Sequence, residues 1–188
     1  MVESAFAGDD SIRLDLVSRL SSCGKAGLVQ QWVITDAMAG SAEAQIRWAK
    51  MLIATNDSEL VAKASEKLHE APTSRDPFIR LWVAGLMATA PIERLRDPVL
   101  ALQIATTLNH EAKVPYSEDP DYAELLAAAQ AANDQYDAAA QSELLAIKRA
   151  VALKWNTSGL QNRLAAYQAK NPWRGYLCDC DQLSPGDY

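Results

Sequence analysis

DPDYAELLAAAQAANDQYDAAAQSELLAIKRAV (119–151) reads as two helices joined by a short polar turn. Asp119 is a favoured helix cap, because its carboxylate accepts a hydrogen bond from an orphan backbone N–H. Pro120 suits the first helical position, where no N–H is needed and φ already has a helical value. The alanines and leucines that follow lose little side-chain freedom in a helix. Asn133-Asp134-Gln135 interrupts the run, and the pattern predicts a second helix capped by Asp134.

Outward from this stretch, Asp-Pro recurs at 76–77 and 97–98. Each pair predicts a cap and a helix start, and the proline also keeps the residue before it out of helical geometry. The runs that follow halt before Pro91 and Pro115. Upstream, Ile12, Leu16 and Leu20 fall at helical spacing beside Leu14 and Val17, and Gly24 closes that run. A second run reaches Gly40. Ser41 caps a third, with Ile46, Ala49, Leu52 and Ile53 on one face. Asp57 caps a fourth that stops before Pro72, and Thr157 caps the last, which stops before Pro172. About nine helices result, and no stretch alternates as a strand would. The short connections require antiparallel neighbours. The expectation is an all-α domain over 1–174, with an extended tail over 175–188.

Composition agrees. With 49% hydrophobic and 22% charged residues, the chain can bury a core and does not read as disordered. The net charge of −6 and the absence of a contiguous basic run argue against nucleic acid as a partner. No apolar stretch reaches the ~18 residues needed to cross a bilayer. Ala5-Phe6-Ala7-Gly8 is similar to the small-residue end of a secretory signal, but no basic segment and apolar core precede it. A periplasmic or secreted protein and a cytoplasmic one both fit, so the compartment stays open.

Three cysteines, Cys23, Cys178 and Cys180, leave at least one unpaired in a monomer. A Cys178–Cys180 bridge would close a small strained ring. A bridge from Cys23 to either would tie the first helix to the tail and would suit an oxidising compartment. Three ordinary thiols are the other reading.

Candidate chemistry is sparse. His69 and His110 each precede Glu in the last turn of an expected helix, where the helix dipole favours a histidine. Neither extends to a His-Glu-x-x-His metal motif. Cys178, Asp179, Cys180, Asp181 and Asp187 could hold a metal, but two thiols without a second pair or a nearby His form a weak zinc set. There is no glycine-rich phosphate loop and no Gly-x-Ser-x-Gly elbow. Asp9/Asp10 and Asp119/Asp121 lie beside caps and turns, where Asp belongs anyway. The expectation is no catalysis, no metal and no cofactor. Trp48 and Trp82 are expected in the core, and Trp173 is expected to seal one end.

Leu126-Ala127, then Ala139, then Ala146 place small residues 12 and 7 apart across the turn (139 − 127 and 146 − 139). With RLAAYQAKNPWR (163–174) behind it, the segment 120–151 resembles a tetratricopeptide repeat followed by a closing helix over 157–170. Looser units surround Trp48-Ala49 with Ala62, and Trp82 with Ala101 and Ala105. The family's usual Gly after the large residue and its unit-ending Pro are absent, which leaves open a divergent relative such as a Sel1-like array, or an unrelated stack of helical hairpins. The resemblance implies a right-handed superhelical stack of antiparallel hairpins (an α-solenoid), whose first helices line a concave face. That face would carry Glu43, Ile46 and Lys50 from the first unit, Arg80 and Met87 from the middle one, and Asp121, Glu124, Ala128 and Ala132 from the last. It lacks the Lys/Arg cluster that captures a C-terminal carboxylate. The expected partner is a protein or peptide with a basic or neutral-apolar segment. The alternative is a small acidic inhibitor, of the immunity-protein kind, that occludes a toxin or enzyme.

Overall fold

Proline at the first helical position sets where three helices begin: α2 (Pro77–Thr89), α3 (Pro98–Glu111) and α4 (Pro120–Ala132). α1 (Ser58–Glu70) precedes them, and α5 (Tyr136–Ala152) and α6 (Ser158–Gln168) follow. This computed structural model describes residues 33–41, 44, 58–70, 74, 77–111, 119–175 and 177. Within that range the chain is all-α, with no strand. Residues 33–38 are also helical, and a single 3-10 turn, Glu93–Leu95, joins α2 to α3.

Asp57 and Asp76, two of the expected caps, lie outside the described residues. The Leu100 N–H donates to Asp97 Oδ1 at 3.0 Å, and the Asp121 N–H donates to Asp119 Oδ1 at 3.0 Å. Ser41 Oγ accepts from the Ala44 N–H at 3.3 Å. Asp134 is a correction. It does not cap α5, whose first flanking residue is Gln135 and has no side-chain cap. Asp134 instead closes α4, with φ at 60°. Its N–H donates to the Ala131 carbonyl at 3.2 Å, while the Gln135 N–H reaches back to the Gln130 carbonyl at 3.0 Å. Thr157 holds the cap position of α6 but makes no side-chain cap bond; Asn156 Oδ1 accepts from the Ser158 N–H at 2.9 Å.

The same pair of closing bonds ends two more helices. At α5 the Lys154 N–H meets the Val151 carbonyl and the Trp155 N–H meets Ala150. At α6 the Lys170 N–H meets Tyr167 and the Asn171 N–H meets Ala166. Lys154 and Lys170 sit at φ 62° and 57°, a left-handed position that glycine takes without cost. Among the described helix ends, glycine fills it at Gly40, φ 96°, which ends the 33–38 helix in the same way.

The helices pack in sequence order. α2 lies against α3 and α4, α3 against α4, α4 against α5, and α5 against α6. α2 sits between neighbours, which is why all but one of its residues from Leu81 to Thr89 are buried. Its only charge is Arg80. The main core joins Leu81, Val83, Met87 of α2 to Ile104, Leu108 of α3 and Leu125 of α4. Trp82 packs partly buried against it, as expected, whereas Trp48 lies outside the described residues. α1 rests on the 3-10 turn, where Ser65 Oγ donates to the Arg94 carbonyl at 2.8 Å.

Past α6 the chain turns back over α2. The Gly175 N–H donates to the Thr89 carbonyl at 2.9 Å, and Arg174 Nη1 donates to the Ala88 carbonyl at 3.3 Å. Leu177 then lies on Gly85, where an added Cβ would come within 3.3 Å of Leu177 Cδ1. Gly175 and Leu177, in the stretch expected to be tail, are thus docked on α2.

Candidate functional site

The small-residue seam brings α4 and α5 close together. Ala127, Ala139 and Ala146 are all fully buried, and short side chains let two backbones approach. One turn beyond Ala139, on the same face, stands Glu143, also fully buried. From α6, Arg163 reaches in to meet it. Arg163 Nη2 is 2.5 Å from Glu124 Oε1 of α4, and Arg163 Nε is 3.5 Å from Glu143 Oε1. Its guanidinium also lies over the Trp173 ring, 5.8 Å from the centroid. Tyr167, one turn after Arg163, is fully buried and packs with Ala127, Ala131, Ala139 and Trp173. Trp173 packs half-buried against the same cluster.

Two carboxylates thus share one guanidinium with almost no water. The consequences are electrostatic. Burial pushes the Glu143 acid from 4.5 up to about 7, against the pull of Arg163. Asp121, half-buried on the first turn of α4, is pushed from 3.8 up to about 6 by burial and by the charge of Asp119; Arg163 opposes both. Burial, then the neighbouring Glu143, pushes the Tyr167 phenol upward as well. Among the described residues, neither Glu143 oxygen nor the Tyr167 hydroxyl has a hydrogen-bond partner. A buried ion set of this kind fixes geometry more than it stabilises, because desolvation offsets most of the attraction. Its immediate effect is to pin α6 to α4 and α5 together.

The residues read from sequence as one concave face have separate fates. Met87 and Ala128 belong to the core. Glu124 is buried in the ion set, and Ala132 is half-buried against the core. Arg80 pairs with Glu111 at 2.7 Å, tying α2 to α3. Of the described members, this leaves Arg80 and Asp121 half-buried with a charge near the surface. Glu43, Ile46 and Lys50 lie outside the described residues, as do Cys23, Cys178 and Cys180.

The histidines have local roles. The His69 ring donates from Nδ1 to the Ser65 carbonyl at 2.8 Å, and its Nε2 is 3.4 Å from Asp97 Oδ2. Asp97 therefore caps α3 and holds α1 at once. His110 is exposed in the last turn of α3. Among the described residues no group of three or more His, Cys, Asp or Glu could hold a metal.

Sequence reading missed Glu143, Arg163 and Tyr167. The signal was present: Glu143 falls four after Ala139 and three before Ala146, so it had to lie on the seam. Comparison with known proteins gives no match to a protein-family model, to a curated protein or to a solved structure.

Proposed function

We propose that the chain is a non-catalytic protein–protein interaction module: a right-handed, tetratricopeptide-like stack of about nine helices that takes a peptide or partner protein on the face of its first helices. The observation that carries this reading is the order of packing. α2 touches both its own partner α3 and the next first helix α4, and α4 pairs with α5 through a fully buried small-residue seam. Successive hairpins that contact only near neighbours are the physical requirement of such a stack.

Within that reading, the charged contacts on the face come from Asp121 and Arg80, with Glu43, Ile46 and Lys50 continuing it upstream. Asp121 favours a basic or neutral-apolar partner segment. Capture of partners by tagged protein from the native host, with and without reductant, tests the proposal. A single stoichiometric partner that Asp121→Lys releases supports it. The absence of any enriched partner in both conditions overturns it.

A further inference from the structure

The tip between α5 and α6 differs from the rest of the surface. Residues 151–156 are all exposed, and Val151, Leu153 and Trp155 keep 60%, 50% and 52% of their surface in water. Leu144, two turns before Val151, is 51% exposed on the same helical stripe. Lys148 lies between them on that stripe, and Lys154 stands between Leu153 and Trp155 at the turn. Among the described residues neither lysine forms an ion pair.

The charge around this tip has one sign. From Leu144 to Cys178 the sequence holds Lys148, Arg149, Lys154, Arg163, Lys170 and Arg174, and no Asp or Glu, in a chain of net charge −6. Spread along two helices, these cations form no contiguous run. Arg163 serves the buried ion set, and Arg149 and Arg174 donate to the Asp119 and Ala88 carbonyls. Lys148 and Lys154 are left beside the apolar residues.

Large exposed apolar groups ringed by unpaired cations need a surface that is apolar beneath and anionic above. A bilayer interface with anionic lipid has that profile. Leucine and valine enter the headgroup boundary, the tryptophan ring rests at that depth, and lysine stems follow while their ammonium groups stay at the phosphates. This is not an unfinished end of the stack, because α6 exposes the polar Gln161, Asn162 and Gln168. No described helix is long and apolar enough to cross a membrane.

We propose that the α5–α6 tip docks on anionic phospholipid, with Val151, Leu153 and Trp155 entering the headgroup region and Lys148 and Lys154 against the phosphates. This docking does not depend on the partner face: Asp121→Lys leaves it in place. The test is co-sedimentation of the full chain with two sets of vesicles, one of phosphatidylcholine and one of phosphatidylcholine and phosphatidylglycerol in equal parts. Binding is expected to the mixed vesicles only, and to weaken with added salt. Each lysine removed lowers affinity about fivefold, so Lys148→Glu with Lys154→Glu lowers it at least about 25-fold. Leu153→Ser with Trp155→Ser abolishes it, with helical circular dichroism unchanged. Trp155→Phe retains most of the sedimentation and loses the vesicle-induced change in tryptophan fluorescence. The proposal is overturned if mixed vesicles bind no protein at low salt, or if the charge reversals leave binding unchanged. It is also overturned if vesicles are ignored while the wild type dimerises and the Leu153/Trp155 variant stays monomeric, which would assign the tip to a second copy of the chain.

Discussion

Replacing Glu143 by Gln should remove most of a pH-dependent loss of stability. An acid that is weaker folded than unfolded holds its proton more tightly in the fold. Its contribution is fully present below the unfolded value of 4.5 and is lost as pH rises through about 7. Each tenfold change in acidity is about 1.4 kcal/mol, so the move from 4.5 to about 7 costs about 3 kcal/mol once both states are ionised. Asp121, raised from 3.8 to about 6, adds a loss of the same sign earlier in the range. Wild-type melting temperature should therefore fall between about pH 5 and pH 8. Glu143→Gln keeps the shape, leaves Arg163 paired with Glu124, and cannot ionise. At pH 8 it should be more stable by up to about 3 kcal/mol, or about 10 °C for a chain of this size. At pH 5 the two should nearly coincide. Thermal melts followed by circular dichroism across the range decide the matter. Parallel curves would show that Glu143 titrates as an ordinary acid. A variant less stable at pH 8 would show that attraction to Arg163 outweighs burial. Either result refutes the reasoning.

Three other substitutions follow from the packing. Arg163→Met leaves two buried carboxylates without their cation and should cost about 3–5 kcal/mol at pH 7, less at pH 5, as read by chemical denaturation. Lys170→Gly relieves a left-handed helix end held by two backbone bonds; it should stabilise by about 1 kcal/mol and raise the melting temperature a few degrees. Ala139→Leu forces a large side chain into a fully buried seam and should cost about 1–3 kcal/mol, whereas the same change at the half-exposed Ala138 should cost little in the same melts.

How much of this was legible in the sequence depended on the range of each interaction. Asp97 and Asp119 cap helices with atoms two or three residues away, so the pairs that announce them are complete in the local string. The seam at Ala127, Ala139 and Ala146 was legible because small residues at fixed spacing have one common use in paired helices. The ends at Asp134, Lys154 and Lys170 were not. They are made by backbone bonds reaching back three and five residues, which tolerate a non-glycine residue at modest cost and so leave no mark in composition. The partner face was overread for a related reason. Projecting Met87 and Ala128 onto one side of a helix assumes that side is free, yet α2 and α4 pack on each other, and both residues lie in that core.

Glu143 is the instructive case, because the sequence did carry it. A glutamate placed between Ala139 and Ala146 on the packed face of α5 cannot reach solvent once α4 is in place. Leaving it there unpaired would be costly, so some third element has to bring a cation. Leu160, Arg163 and Tyr167 lie on one face of α6, and all three are buried. The acid in the seam thus demands a cation, and the buried arginine of α6 supplies it. Two local irregularities, each unexplained alone, together specify a contact between helices separated in sequence. That contact, more than the alanine seam, fixes where α6 must dock.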